Sequence, residues 1–130
     1  MKFPVIDGLR ALELGTEGPM RQRLNELVLA GLKRATAGTL DEYDENEFEH
    51  VGERLALVDD HLKKIGVVEV TRTEMTTFAS VPWSFAAREN EGDASIEEWR
   101  ANHRAFWRAE GIEVRDDMPV FLVHFELLEP

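Results

Sequence analysis

The run Lys64-Ile65-Gly66-Val67-Val68-Glu69-Val70-Thr71-Arg72-Thr73-Glu74-Met75 sets the architecture of this 130-residue chain. Its β-branched residues fit a pleated, half-buried surface better than a helix, so it reads as a long strand. Asp59-Asp60-His61 precedes it as a turn, and Glu53 to Val58 before that reads as a second strand. Together they make a hairpin.

Upstream, Met20, Leu24, Leu27 and Val28 fall on one face at helical spacing, with Thr16 as the expected N-cap and Glu17 and Pro19 in the first turn. Gly31 suits the left-handed position that ends such a helix. Residues 1–16 read as a segment packed on the domain, with a short helix around Leu9-Arg10-Ala11-Leu12. Residues 41–50 are a solvated acidic loop. Downstream, Pro82 opens a short helix over Trp83 to Asn90, and Ser95 with Glu98 is a capping box. The helix it starts aligns Ile96, Trp99, His103, Phe106 and Trp107, and ends before Gly111. Val120 to Leu128 is apolar on both faces, the mark of a central strand. The sum is a single α+β domain over residues 1–130 with a small curved or closed sheet.

Composition narrows the function. The formal net charge is −11, which opposes binding of duplex DNA or long RNA, since that binding rests on Lys and Arg neutralising phosphates. Small substrates or short single strands fit better. The chain has no cysteine, which excludes thiol catalysis and makes the cytoplasm the expected compartment. The first residues are too short and interrupted for a signal peptide, and no apolar run is long enough to cross a membrane. The four histidines have no zinc-ligand spacing, so no metal is expected.

The chemistry concentrates around Gly31-Leu32-Lys33-Arg34-Ala35-Thr36. An amine and a hydroxyl three residues apart can serve as base and nucleophile. Glu69, in a strand otherwise built for burial, is either paired, with Lys33 a candidate partner, or faces a wet cavity, and it equally suits capping a barrel end. Tyr43 in the acidic loop is a candidate stacking group for a base. Arg21 and Arg23 read as a solvated helix face. His103, on an apolar stripe, reads as structural, and His124 as pointing to solvent.

The ordered set Gly31-x-Lys33-x-x-Thr36, Val68-Glu69-Val70-Thr71 and Glu89-Asn90-Glu91-Gly92-Asp93, with Trp99 and His103 beyond, resembles the ASCH domain, a PUA-like β-barrel family. The likeness runs from about Met20 to Leu128. It implies a small PUA-like barrel flanked by helices. One small bacterial member is an amidohydrolase that removes the acetyl group of N4-acetylcytidine with a lysine, a threonine and a glutamate. By motif these fall on Lys33, Thr36 and Glu89. Another member has been described as a metal-dependent ribonuclease, and relatives of the fold bind RNA or modified bases. The expected function is therefore a hydrolase acting on the N-acyl amide of a modified nucleoside, without cofactor. An RNA-binding or RNA-cleaving domain and a non-catalytic interaction domain are the alternatives. Glu69, Tyr43 and Arg34 are the expected substrate contacts. The longer N-terminus, the acidic loop and the inserted Glu91-Gly92-Asp93 depart from the small deacetylase.

Overall fold

The computed structural model describes residues 3–44 and 47–129. Six strands and three helices follow in the order β1 (Val5–Ile6), β2 (Leu9–Leu12), α1 (Pro19–Leu29), β3 (Ala35–Thr39), β4 (Arg54–Val58), β5 (Lys64–Thr77), α2 (Trp83–Glu89), α3 (Ile96–Ala109) and β6 (Pro119–Glu129). One mixed sheet holds them in the order β1-β2-β4-β5-β6-β3. It wraps like a barrel but does not close, because β1 and β3 remain its two edges among the described residues.

The expected hairpin is present. β4 and β5 pair antiparallel, with Arg54 opposite Glu69 and Ala56 opposite Val67. β5 continues past β4 and pairs with β6 along nearly its whole length, with irregularities at Val67/Val68 and Val70/Arg72. Such bulges increase local twist and let one long strand serve both halves of a curved sheet.

β6 is internal, between β5 and β3. Its two apolar faces enter two different cores. Phe121, Val123 and Phe125 join Leu24 and Val28 of α1 with Leu55, Leu57, Val68 and Val70. Val120 and Leu122 join Ala35, Phe78, Phe85, Trp99 and Trp107 under α2 and α3. A period-2 strand covered on both sides must be largely apolar on both faces, as Val120 to Val123 and Phe125 are.

Helix α3 starts at the expected N-cap, with the return bond of the capping box shifted by one residue. Ser95 Oγ accepts from Glu98 N at 3.2 Å, and Glu98 Oε1 accepts from Ala94 N at 3.3 Å. Replacing Ser95 by alanine is expected to cost about 1 kcal/mol, read as a lower urea midpoint with an unchanged slope.

Two expectations at the N-terminal end are corrected. Leu9–Leu12 is strand, not helix. Asp7 and Gly8 both have positive φ, 53° and 79°, which makes a two-residue hairpin turn joining β1 to β2. β2 then pairs parallel to β4, so Ala11 and Leu12 are buried by the sheet. Thr16 is also not the N-cap. Helix α1 begins at Pro19 behind Gly18, whose φ of 101° redirects the chain. Gly18 N instead donates to Asp60 Oδ2 at 3.0 Å, across to the β4–β5 turn. At the other end Gly31 adopts φ 74°, as expected for the residue past the helix. Of the acidic loop, Glu45 and Asn46 lie outside the described residues, as do Met1, Lys2 and Pro130 of the proposed domain. No helix among the described residues is long and apolar enough to cross a membrane.

Candidate active site

The segment after α1 and the end of α2 are tied together by one backbone bond and one side-chain bond. Arg34 N donates to Arg88 O at 2.8 Å, and Asn90 Nδ2 donates to Leu32 O at 3.0 Å. Asn90 ends α2 in the left-handed conformation, φ 53° and ψ 44°. That residue turns the chain back, so that both Glu89 and Glu91 reach Lys33.

Lys33 is only 1% exposed. Its Nζ donates to Ala35 O at 2.6 Å and to Glu91 Oε2 at 2.6 Å, and stands 3.7 Å from Glu89 Oε2. Glu89 is equally buried, and both its oxygens are occupied. Oε2 accepts from Ala37 N at 3.2 Å, while Oε1 accepts from Trp99 Nε1 and lies 3.2 Å from His103 Nε2. Burial alone would push this carboxyl up. Lys33, His103 and the Trp99 N–H outweigh it and hold Glu89 at about 2.

His103 stacks on Trp99, with ring centroids 4.0 Å apart. Its Nδ1 lies 3.0 Å from Trp99 O and its Nε2 faces Glu89. Both neighbours are acceptors, an arrangement that suits an imidazolium. Burial pushes its pKa down, but the hydrogen bond and charge of Glu89, with Glu91 beyond, win and raise it.

These groups open onto a cavity of about 550 Å³. Along β3, Ala35 faces the core under α2 and α3, so Thr36 and Gly38 face the opposite side by strand alternation. Thr36 and Gly38 line the cavity together with Lys33, Glu89, Glu91 and His103. The cavity thus receives Lys33, Thr36 and Glu89, the three residues singled out by motif.

A second group of acids lines another part of it: Glu42, Tyr43, Glu49 and Glu110. Burial, then the charges of Glu110, Glu49 and Asp41, push the Glu42 carboxyl up to about 7. Burial likewise raises Glu49, and burial with the Glu49 charge raises the Tyr43 phenol. A carboxyl raised on folding stabilises the fold below its unfolded pKa, and that contribution is lost as pH climbs to the folded value. Glu42→Gln is therefore expected to be near neutral for stability at pH 4.5 and stabilising by on the order of 1–3 kcal/mol at pH 8, checked by urea unfolding at both.

Other expected contacts lie elsewhere. Glu69 does not reach the cavity. It faces outward on β5, where Arg54 Nε bonds its Oε1 at 3.4 Å, so its partner is the cross-strand arginine and not Lys33. Arg34 is exposed and does not line the cavity. Tyr43 does line the cavity, but it is packed rather than free. Its ring sits 4.6 Å from that of Phe48 and 5.7 Å from that of Phe121, and its hydroxyl bonds Glu49. Arg21 is not solvated: it is buried, and its Nε donates to Leu14 O at 2.9 Å. His124 is not at the surface either. It packs on Phe85 and accepts from Arg88 Nε at 3.0 Å.

Sequence reasoning missed Glu91 and Glu42. The signal for Glu91 was Asn90 before it and Gly92 after it, two residues suited to positive φ, which turn an apparent helix break into a returning loop. Among the described residues, no group of three or more His, Asp or Glu is placed to hold a metal ion.

The geometry has counterparts among solved structures. The ASCH domain from Lactobacillus crispatus superposes with a TM-score of 0.80 and 28% identity, over 92% of this chain and 79% of that one. A protein from Enterococcus faecalis superposes with a TM-score of 0.80 and 25% identity, over 90% of this chain and 74% of that one. A mutant ASCH protein from Zymomonas mobilis, 11% identical with a TM-score of 0.53 over 81% of this chain and 63% of that one, shares the fold alone. No curated protein matches the chain. The family model for the ASCH domain matches residues 10–129, from β2 to the end of β6, and the chain belongs to that family.

Proposed function

We propose that the protein is a hydrolase that cleaves the N-acyl amide of a modified nucleoside such as N4-acetylcytidine, with Lys33, Thr36 and Glu89 at its centre and Glu91 as their partner. The observation that carries this reading is a fully buried lysine amine, bonded to a carboxylate, on the wall of the cavity that Thr36 also lines.

The residues divide the work. Thr36 Oγ1 attacks the acyl carbon and forms an ester as the C–N bond breaks. Lys33 takes the hydroxyl proton as a neutral amine, after passing a proton to Glu91 across their 2.6 Å contact. The Glu91 acid then protonates the leaving nitrogen, so the net transfer is one proton from threonine to amine. Water hydrolyses the ester and restores Thr36. Glu89, saturated by four neighbours, orients Lys33 and His103 rather than moving protons.

An RNA substrate is less well supported. Seven carboxylates line the cavity against three Lys or Arg side chains and one histidine. Arg21 and Lys33 are buried and paired, and Arg72 is paired with Glu74 at 3.1 Å, so these residues do not build a basic rim for phosphates. An uncharged nucleoside suits the cavity better. The test is release of acetate from N4-acetylcytidine by the purified protein. No release from a panel of N4-acylated cytidines, in a folded sample, overturns the reading.

A further inference from the structure

The acidic part of the cavity has no task in the chemistry above, yet it is built. Gly38 in β3 leaves bare backbone on the wall, and Glu42 and Tyr43 press into that space. A Cβ at residue 38 would stand 2.4 Å from Glu42 Oε2 and 3.3 Å from Tyr43 Oη. Glu49 beside them is 8% exposed, and its Oε1 has no hydrogen-bond partner among the described residues, with Arg10 Nη1 4.0 Å away. A buried acceptor left open is costly unless something fills it. Phe3 lines the same cavity, its ring 5.4 Å from that of Tyr43.

We propose that Glu42, with Glu49 beside it, forms a second subsite that pairs with the edge of a flat, uncharged heterocycle presenting a ring acceptor next to an N–H donor. Identifying that ring with the pyrimidine of the substrate rests on the hydrolase reading. A neutral carboxyl carries an O–H donor and a C=O acceptor side by side, which is the complement of such an edge. The open Glu49 oxygen takes a further donor from the ligand. The groups facing Glu42 favour its neutral form: Asp41 and Tyr43 from its own segment, Glu49 from the loop before β4, and Glu110 from the end of α3. Arg10 of β2 faces Glu49 and Tyr43 instead. The burial and repulsion that bring Glu42 to about 7 agree with this assignment.

The experiment is calorimetric titration of the protein with cytidine, which is not cleaved, at several pH values. In the wild type the dissociation constant is expected to rise about tenfold between pH 6 and pH 8, as one required proton is lost. Glu42→Gln keeps an N–H beside a C=O at every pH, so its affinity is expected to change less than twofold over that range. Gly38→Ala, which displaces the Glu42 carboxyl, is expected to weaken binding and flatten the slope. No binding at pH 6, a flat wild-type profile, an unchanged slope in Glu42→Gln, or affinity that climbs with pH (the sign for a cationic ligand) each overturns the subsite. The two readings separate cleanly. A protein that binds cytidine with this profile but releases no acetate loses the hydrolase and keeps the subsite. One that releases acetate with a flat profile loses the subsite alone.

Discussion

Lys33→Ala is expected to destabilise the protein by about 3–5 kcal/mol as well as to silence it. Its amine pairs with the Glu91 carboxylate at 2.6 Å and is, with His103, one of two cationic neighbours of Glu89. Removing one partner of a buried pair strands the other, and that stranded charge is the main cost. Urea unfolding at pH 7 measures it; a change under about 1 kcal/mol would show that the pair is wetter than its burial indicates. The pH profile should change as well. Glu89, held at about 2 in the fold, stabilises above its ordinary value of 4.5 and loses that contribution as pH falls towards 2. Without Lys33 much of this dependence should vanish, so the wild type and the variant converge in acid.

Thr36→Ala is expected to separate chemistry from folding. The side chain is half-buried on β3 and faces the cavity rather than either helix-covered core. Its loss should leave stability within about 1 kcal/mol of wild type. Turnover of N4-acetylcytidine should fall by about 10³-fold or more, because the attacking oxygen is gone. Thr36→Ser, which keeps that oxygen, should retain most activity. Equal activity in Thr36→Ala and wild type would remove threonine as nucleophile and leave water as the attacking group.

What was readable in the sequence was what depends on near neighbours. The β-branched run of β5, the capping box at Ser95 and the glycine after α1 each express a local preference, and each appears where expected. The dual burial of β6 was also legible, because two covered faces leave no polar alternation. Leu9–Leu12 is hard to read as strand because four residues carry little periodicity, and the Asp7-Gly8 turn is the local signal that defines them. The site was harder. Lys33, Thr36 and Glu89 are legible from motif, but the pairing of Lys33 with Glu91 depends on how Asn90 turns the chain and on two hydrogen bonds, one from a backbone amide and one from the Asn90 side chain, across more than fifty positions. Glu69 shows the opposite case. Its carboxylate is paired, but cross-strand register, which one strand's sequence does not reveal, makes the partner Arg54.

Because β3 is a free border of the sheet, its outward amides need partners, and at Ala37 a glutamate supplies one where a further strand would otherwise lie. An exposed border is a template for polymerisation. The same side chain therefore occupies a border amide of the sheet and stands 3.7 Å from the Lys33 amine. A change at Glu89 therefore frees a border amide of the sheet and the lysine amine at one stroke.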